Sequence, residues 1–109
     1  MELTLNEYQV LSILPTGREQ ARSINQLANL VGMDKRRFNA IIHSLTDKGV
    51  PIVSSRQQDP RGIFIAETEA EKQQGLQPIN HQIMEMAKRV ETVQLINIET
   101  WRDDLELNA

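Results

Sequence analysis

Cysteine is absent from the chain, which excludes disulfide bonds and metal sites built on thiolate ligands. Long hydrophobic runs are also absent, since none approaches the roughly 20 residues of a membrane-spanning helix. The N-terminal residues lack the pattern of a secretory signal peptide. For 109 residues of ordinary apolar and charged content, we expect one small domain that resides in the cytoplasm and does not associate with membranes.

Recognisable catalytic motifs are missing as well. The two histidines, His43 and His81, lie in different predicted helices and have no partner at metal-ligand spacing. There is no glycine-rich phosphate loop, and no serine lies in a nucleophile elbow. We therefore expect no enzymatic activity, no cofactor or metal, and no small-molecule substrate.

Charge is distributed unevenly along the chain. The formal net charge of −3 by itself disfavours nucleic-acid binding. Through residue 62, however, eight lysines and arginines stand against six acidic residues, a balance of +2, whereas from residue 63 onward four stand against nine, a balance of −5. One half is therefore basic and the other acidic, which favours a basic interaction surface in the first half. The alternative is that both halves present solvated surfaces.

Three helices are predicted in the first half. Thr4 and Ser23 each begin a capping box, completed three residues later by Glu7 and Gln26. Apolar residues then recur at the spacing of one helical face: Ile24, Leu27, Ala28 and Val31 in the second helix, and Phe38, Ile41, Ile42 and Leu45 in the third. A short connection ending at the predicted N-cap Asp34 joins these two helices, which is the helix-turn-helix arrangement.

A β-hairpin and a helical tail follow. Two short β-branched segments, residues 50–54 and 62–66, flank a turn signal and predict the hairpin. Thr68 begins a third capping box, for a short helix that we expect to end at Gly75. Pro78 suits the first turn of a last long helix, with a break expected near residues 94–97.

The last helix carries an apolar stripe, which we call the seam. Its members are spaced 4, 3, 4 and 3 residues apart, as in a coiled coil, and are Ile79, Ile83, Met86, Val90 and Val93. The seam either docks on the body of the protein, near Tyr8 and Leu11, or forms the interface of a homodimer. We favour the homodimer, because so small a body has limited surface to cover such a stripe.

Three helices followed by a hairpin resemble the winged helix-turn-helix superfamily over residues 4–66. Residues 48–55, then residues 62–68 and an acidic helix, are similar to small phage and prophage winged-helix proteins whose wing precedes a helical tail. The resemblance implies an α+β, mainly helical fold, with a winged helix-turn-helix domain over residues 1–67 and a helical extension over 68–109. It implies DNA binding in general, and leaves transcription regulation and replication open.

In a helix-turn-helix the second helix enters the major groove by its N-terminal end. Here that helix spans residues 35–48. At about 100° per residue, Arg36, Ala40, His43 and Asp47 lie opposite its apolar face, and Asp47 near the helix end would repel phosphate or read cytosine. Arginine pairs with guanine, asparagine with adenine, and a small alanine approaches the thymine methyl. The residues expected to contact DNA are Lys35, Arg36, Arg37, Asn39, Ala40, His43 and Ser44.

The predicted wing adds Arg56 and Arg61 on an exposed turn, where we expect them to contact phosphates or the minor groove. The alternatives are a solvated basic helix face and a turn with solubilising charges. The sequence therefore predicts specific binding to double-stranded DNA by a cytoplasmic regulator or replication-associated protein. The alternative function is that of an adaptor that binds proteins through the same fold, without DNA.

Overall fold

A computed structural model describes residues 2–56, 59–103 and 105. In these residues the chain forms, in order, α1 (Leu5–Ile13), a short 3-10 helix (Arg18–Gln20), α2 (Ile24–Leu30), α3 (Lys35–Asp47), β1 (Ile52–Ser55), β2 (Gly62–Ile65) and α4 (Glu69–Gln94). The fold is α+β and mainly helical, as predicted. It divides into two compact units, Met1–Gln77 and Pro78–Ala109. None of the helices in the described part of the chain combines the length and apolarity needed to cross a membrane.

The predicted starts of the first three helices are confirmed by their capping hydrogen bonds. The Thr4 hydroxyl accepts the Glu7 N–H at 3.2 Å, and the Glu7 carboxylate accepts the Thr4 N–H at 2.8 Å. Ser23 and Gln26 form the same reciprocal pair. Asp34 accepts the N–H three residues later at 2.7 Å. Each cap satisfies donors that a helix leaves unpaired at its start, so these boundaries follow from local sequence.

The two strands pair as an antiparallel hairpin, with Ile52 opposite Ile65. The segment before α2 joins the outer edge of β2, because Arg22 and Ile63 exchange backbone hydrogen bonds of 3.2 and 2.9 Å. Gly62 permits this close approach: a Cβ atom there would overlap the Arg22 carbonyl group, and the φ angle of Gly62 is +138°. The hairpin is thereby fixed against the segment that leads into α2.

β1 begins two residues later than predicted. The Val50 N–H donates to the Leu45 carbonyl and completes the C-terminal turn of α3. Pro51 has no N–H to give to a strand partner. Strand pairing therefore starts at Ile52, where both constraints end.

Apolar residues of α1, α2, α3 and the hairpin form the main core. Val10, Leu27, Phe38 and Leu45 are fully buried there. The predicted apolar faces of α2 and α3 both contribute to this core. A second cluster, formed by Ala21, Val53 and Phe64, lies apart from it. Burial of a large apolar side chain such as Phe38 or Leu45 contributes about 1.5–3 kcal/mol to stability. The two clusters therefore account for much of the stability of the first unit.

The predicted division of the tail at Gly75 and Pro78 is wrong, because α4 runs unbroken through both residues. Gly75 is buried against β1, and a Cβ atom built on it would lie 2.5 Å from the Val53 Cβ atom. Its lack of a side chain therefore serves close packing of helix on strand rather than helix termination. The predicted break after the long helix is confirmed, since α4 ends at Gln94.

The start of α4 is tied to the 3-10 helix by one carboxylate. Thr68 accepts the Glu71 N–H at 3.1 Å, as the predicted capping box requires. The Glu71 carboxylate also accepts the N–H groups of Arg18 and Glu67, each at 2.8 Å. These bonds, with that from Arg18 foremost, hold the pKa of Glu71 below its ordinary value. Glu71 thus anchors the helix start to a segment far away in sequence.

The contact of Gly75 with Val53 determines whether a Gly75→Ala substitution stabilises or destabilises the protein. In an exposed helix interior, Gly→Ala stabilises by about 0.5–1 kcal/mol. Here we expect Gly75→Ala to destabilise the protein by about 1–3 kcal/mol, because the added methyl overpacks a rigid strand. Urea denaturation followed by circular dichroism measures the change. Gln77→Ala, at an exposed position of the same helix, is the control; a more stable Gly75→Ala variant would contradict the packing described here.

Candidate nucleic-acid interface

The outer face of α3 is the first component of the candidate site. Phe38 and Leu45 are fully buried on the inner face and fix the rotation of the helix. Arg36, Ala40 and His43 are exposed on the opposite side, as their spacing predicts. The helix therefore presents a basic and a small residue together on a surface open to a partner.

Three consecutive cations, Lys35, Arg36 and Arg37, form the first turn of α3, and all three are exposed. Within the described residues none of them joins a salt bridge. A helix N-terminus carries a partial positive charge, so stability alone favours acidic residues in its first turn. α3 has no acidic residue in that turn, and only the N-cap Asp34 offsets the repulsion. This turn is thus a concentrated positive surface that an anion would stabilise.

A surface groove of about 440 Å³ continues this positive surface toward the hairpin. It is lined by Ser23, Ile24, Asn25, Lys35, Ser54, Ser55, Arg56, Arg61, Gly62 and Ile63. Three of these residues are cations and none is acidic. Arg61 lies 3.9 Å from Asp59, but both side chains are largely exposed, so the pair is weak. Residues 57 and 58 of the predicted wing loop lie outside the described residues.

Two residues of the predicted DNA-contacting set lie at the edge of the α3 face. Asn39 is half-buried on one flank. Ser44 is half-buried on the other, and its hydroxyl donates to the Glu7 carboxylate at 2.6 Å. Because that hydroxyl is used within the protein, we leave Ser44 out of the interface and keep Asn39 as a contact near its edge.

Glu7 forms a buried charged cluster that the sequence analysis missed. Its side chain accepts hydrogen bonds from Lys48 at 2.5 Å and Ser44 at 2.6 Å, and the residue is only 3% exposed. The Lys48 bond, followed by that from Ser44, lowers the pKa of Glu7 to about 2. Lys48 also donates to the Glu2 carbonyl at 2.9 Å. The cluster ties α1 to the C-terminal half of α3.

A sequence signal for this cluster exists. Glu7 is in phase with Val10 and Leu14, at i+3 and i+7, so it belongs to the buried face of α1. A carboxylate on a buried face requires a cation or several hydrogen-bond donors. Ser44 and Lys48 lie one turn apart on α3 and supply both. The sequence alone does not connect Lys48 with Glu7, because it does not specify which helices pack together.

The seam residues have surface positions in the second unit. Ile79 is 38% exposed, and the other four are 57–61% exposed. They lie on one face of α4, in the part of this helix that belongs to Pro78–Ala109. An apolar stripe with this exposure is an unsatisfied surface in an isolated chain.

Comparisons with protein-family models, with curated proteins and with solved structures found no match. In the described part of the chain, no three His, Asp or Glu side chains are placed together to hold a metal ion. Functional inference therefore depends on the charge and geometry of α3, the groove and α4.

The low pKa of Glu7 makes its cluster sensitive to acid. With a folded pKa of about 2 against an ordinary 4.5, the carboxylate stabilises the fold fully above pH 4.5 and loses this effect as the pH falls toward 2. Glu7→Gln should therefore lower the free energy of unfolding at pH 7, and the difference from the native protein should shrink as the pH falls through this window.

Urea titrations at several pH values measure this difference. Glu19→Gln, which removes the same charge from an exposed position, is the control and should have little effect at any pH. A loss of stability in Glu7→Gln that stays constant from pH 7 to 2 would show that the charged cluster does not stabilise the fold.

Proposed function

We propose that this protein is a winged helix-turn-helix protein that binds double-stranded DNA in a sequence-specific manner. In this proposal α3 enters the major groove and the β1–β2 hairpin is the wing. Three features support it: the order of three helices and a hairpin, the short α2–α3 connection, and the pairing of β2 with the segment before α2. Enzymatic activity and cofactors form no part of the proposal.

The observation that carries the proposal is the run Lys35-Arg36-Arg37 in the first turn of α3. These cations are exposed, have no salt bridge within the described residues, and oppose the helix dipole. Such an arrangement lowers stability in the free protein and is compensated when a polyanion binds. DNA phosphates supply that charge at regular spacing, and release of their counterions favours binding further.

The two parts of the site divide the work of recognition. On α3, Arg36 is suited to guanine, Asn39 to adenine, and Ala40 to close approach at a thymine methyl. In the groove, Lys35 and the wing arginines are suited to phosphates, which orient the protein without reading sequence. The phosphate contacts supply affinity, and the α3 contacts supply preference for one sequence.

The biological role that suits such a protein is that of a transcription regulator or a replication-associated DNA-binding protein. A phage or prophage origin is supported only by the resemblance of residues 48–68 to that group. Selection of bound duplexes from a random DNA pool tests the function directly. We expect enrichment of one motif and an affinity that falls steeply with salt. Absence of enrichment together with no binding at low salt would favour a protein-binding adaptor.

The bases read by α3 should depend on Arg36 and Asn39. Replacing either with alanine should weaken binding to the selected site by about 1–3 kcal/mol and relax the preference at one position of the motif. Fluorescence anisotropy on the selected duplex and its single-base variants measures both effects. Lys88→Ala, which removes one exposed positive charge from α4, is the control. Unchanged preference in both variants would place the reading surface elsewhere.

The wing arginines should contribute affinity for any sequence. The Arg56→Ala/Arg61→Ala double variant should bind selected and unrelated duplexes more weakly by the same factor. The slope of log affinity against log salt should become shallower by about 0.9 for each phosphate that the variant no longer neutralises. Binding isotherms at four salt concentrations measure the slope. An unaltered slope would mean that the hairpin tip stays away from DNA.

A further inference from the structure

The seam of α4 has the geometry of one half of a coiled coil. Ile83 and Val90 occupy a positions of a heptad, and Ile79, Met86 and Val93 occupy d positions. At about 100° per residue, all five fall within an arc roughly 80° wide. The stripe extends for roughly 21 Å along the helix, at 1.5 Å per residue. The seam is therefore a continuous apolar face of the size and shape that a second helix can cover.

The residues that border the seam indicate what kind of helix covers it. The e and g positions hold amide side chains, one alanine and one cation: Asn80, Gln82, Ala87, Arg89 and Gln94. Charges lie mainly on the outer face, where Glu85 and Lys88 form a salt bridge of 3.4 Å. Charges at e and g positions set partner choice, because opposite charges across the interface attract and like charges repel. With one cation on each helix, two copies of α4 meet no cluster of like charges.

We propose that α4 is a homodimerisation helix that pairs along the seam with α4 of a second copy of this chain. A helix of different sequence and complementary charge could form an ion pair with only one residue at the borders of the seam, Arg89. An anionic lipid surface is also disfavoured, since residues 78–94 contain two cations and two anions and thus no net positive charge. The near-neutral borders suit an identical helix best.

The proposal adds a partner to the DNA-binding function and rests on that function in one respect only. If α3 binds DNA, a dimer offers two recognition helices, and the preferred site contains two half-sites related by symmetry. The seam spans barely two heptads, so the dimer should dissociate on dilution within an accessible concentration range.

Two methionines of α4 provide a matched test. Met86 lies on the seam and Met84 on the outer face, and both are 61% exposed. Multi-angle light scattering of the full chain, over roughly two decades of concentration, should give a mass that rises from 12.5 kDa toward twice that value. Met86→Glu should raise the dissociation constant by about tenfold or more, because pairing would bury a charge. Met84→Glu should leave it unchanged.

Folding of each variant is checked by circular dichroism. If Met86→Glu fails to fold, Val93→Glu, two turns along the seam, takes its place, with Thr92→Glu as its control. A native protein that stays at 12.5 kDa throughout overturns the proposal, including the case in which the seam docks on its own chain. Equal dissociation constants for Met84→Glu and Met86→Glu overturn it as well.

Dimerisation and DNA binding are separable in this experiment. Binding of each variant to a mixed-sequence duplex at low salt does not require a dimer, because each copy has its own α3 and wing cations. A monomeric native protein that still binds the duplex overturns only the dimer. A dimer that binds no DNA supports the seam and removes the proposed function.

Discussion

Burial of the apolar face of α3 is the constraint on which the rest of the structure depends. Phe38 and Leu45 contribute fully buried side chains to the main core. Since a helix is rigid, fixing these two positions fixes the direction of every other side chain on α3. The Glu7 cluster acts from one flank, because its bonds to Ser44 and Lys48 hold the C-terminal half of α3 against α1. The side of α3 that packs neither in the core nor against Glu7 is the exposed basic face.

Local interactions made much of the fold predictable from sequence. Thr4, Ser23 and Asp34 cap helices by accepting hydrogen bonds from residues three positions away. Both partners of each cap therefore lie within four consecutive residues, and the helix start can be predicted from that short segment. The exposure of Arg36 and His43 follows in the same way from the spacing of their apolar neighbours. These features need no knowledge of how the elements pack together.

The features that sequence could not predict depend on distant partners. Glycine often ends a helix, and only the contact of Gly75 with Val53 reveals that this residue has a packing role. Glu71 fits a capping box, yet its carboxylate reaches the Arg18 N–H, 53 residues away in sequence. Ser44 lies on α3 beside residues expected to contact DNA, yet its hydroxyl donates to the Glu7 carboxylate of α1. In each case the local pattern does not specify the distant contact, and only the packing of the elements reveals it.

The backbone pairing of Arg22 with Ile63 holds the hairpin close to its loop. Gly62 pairs with Ser55 next to the loop and lies too close to the Arg22 carbonyl group for any side chain, so β2 is held against the segment before α2 up to the end of the ladder. The ladder of β1 and β2 ends at the pair of Ser55 with Gly62. We therefore expect exchanges of sequence in the loop between these two residues to leave the paired strands in place, which makes the loop a suitable point for grafting a different binding sequence onto this protein.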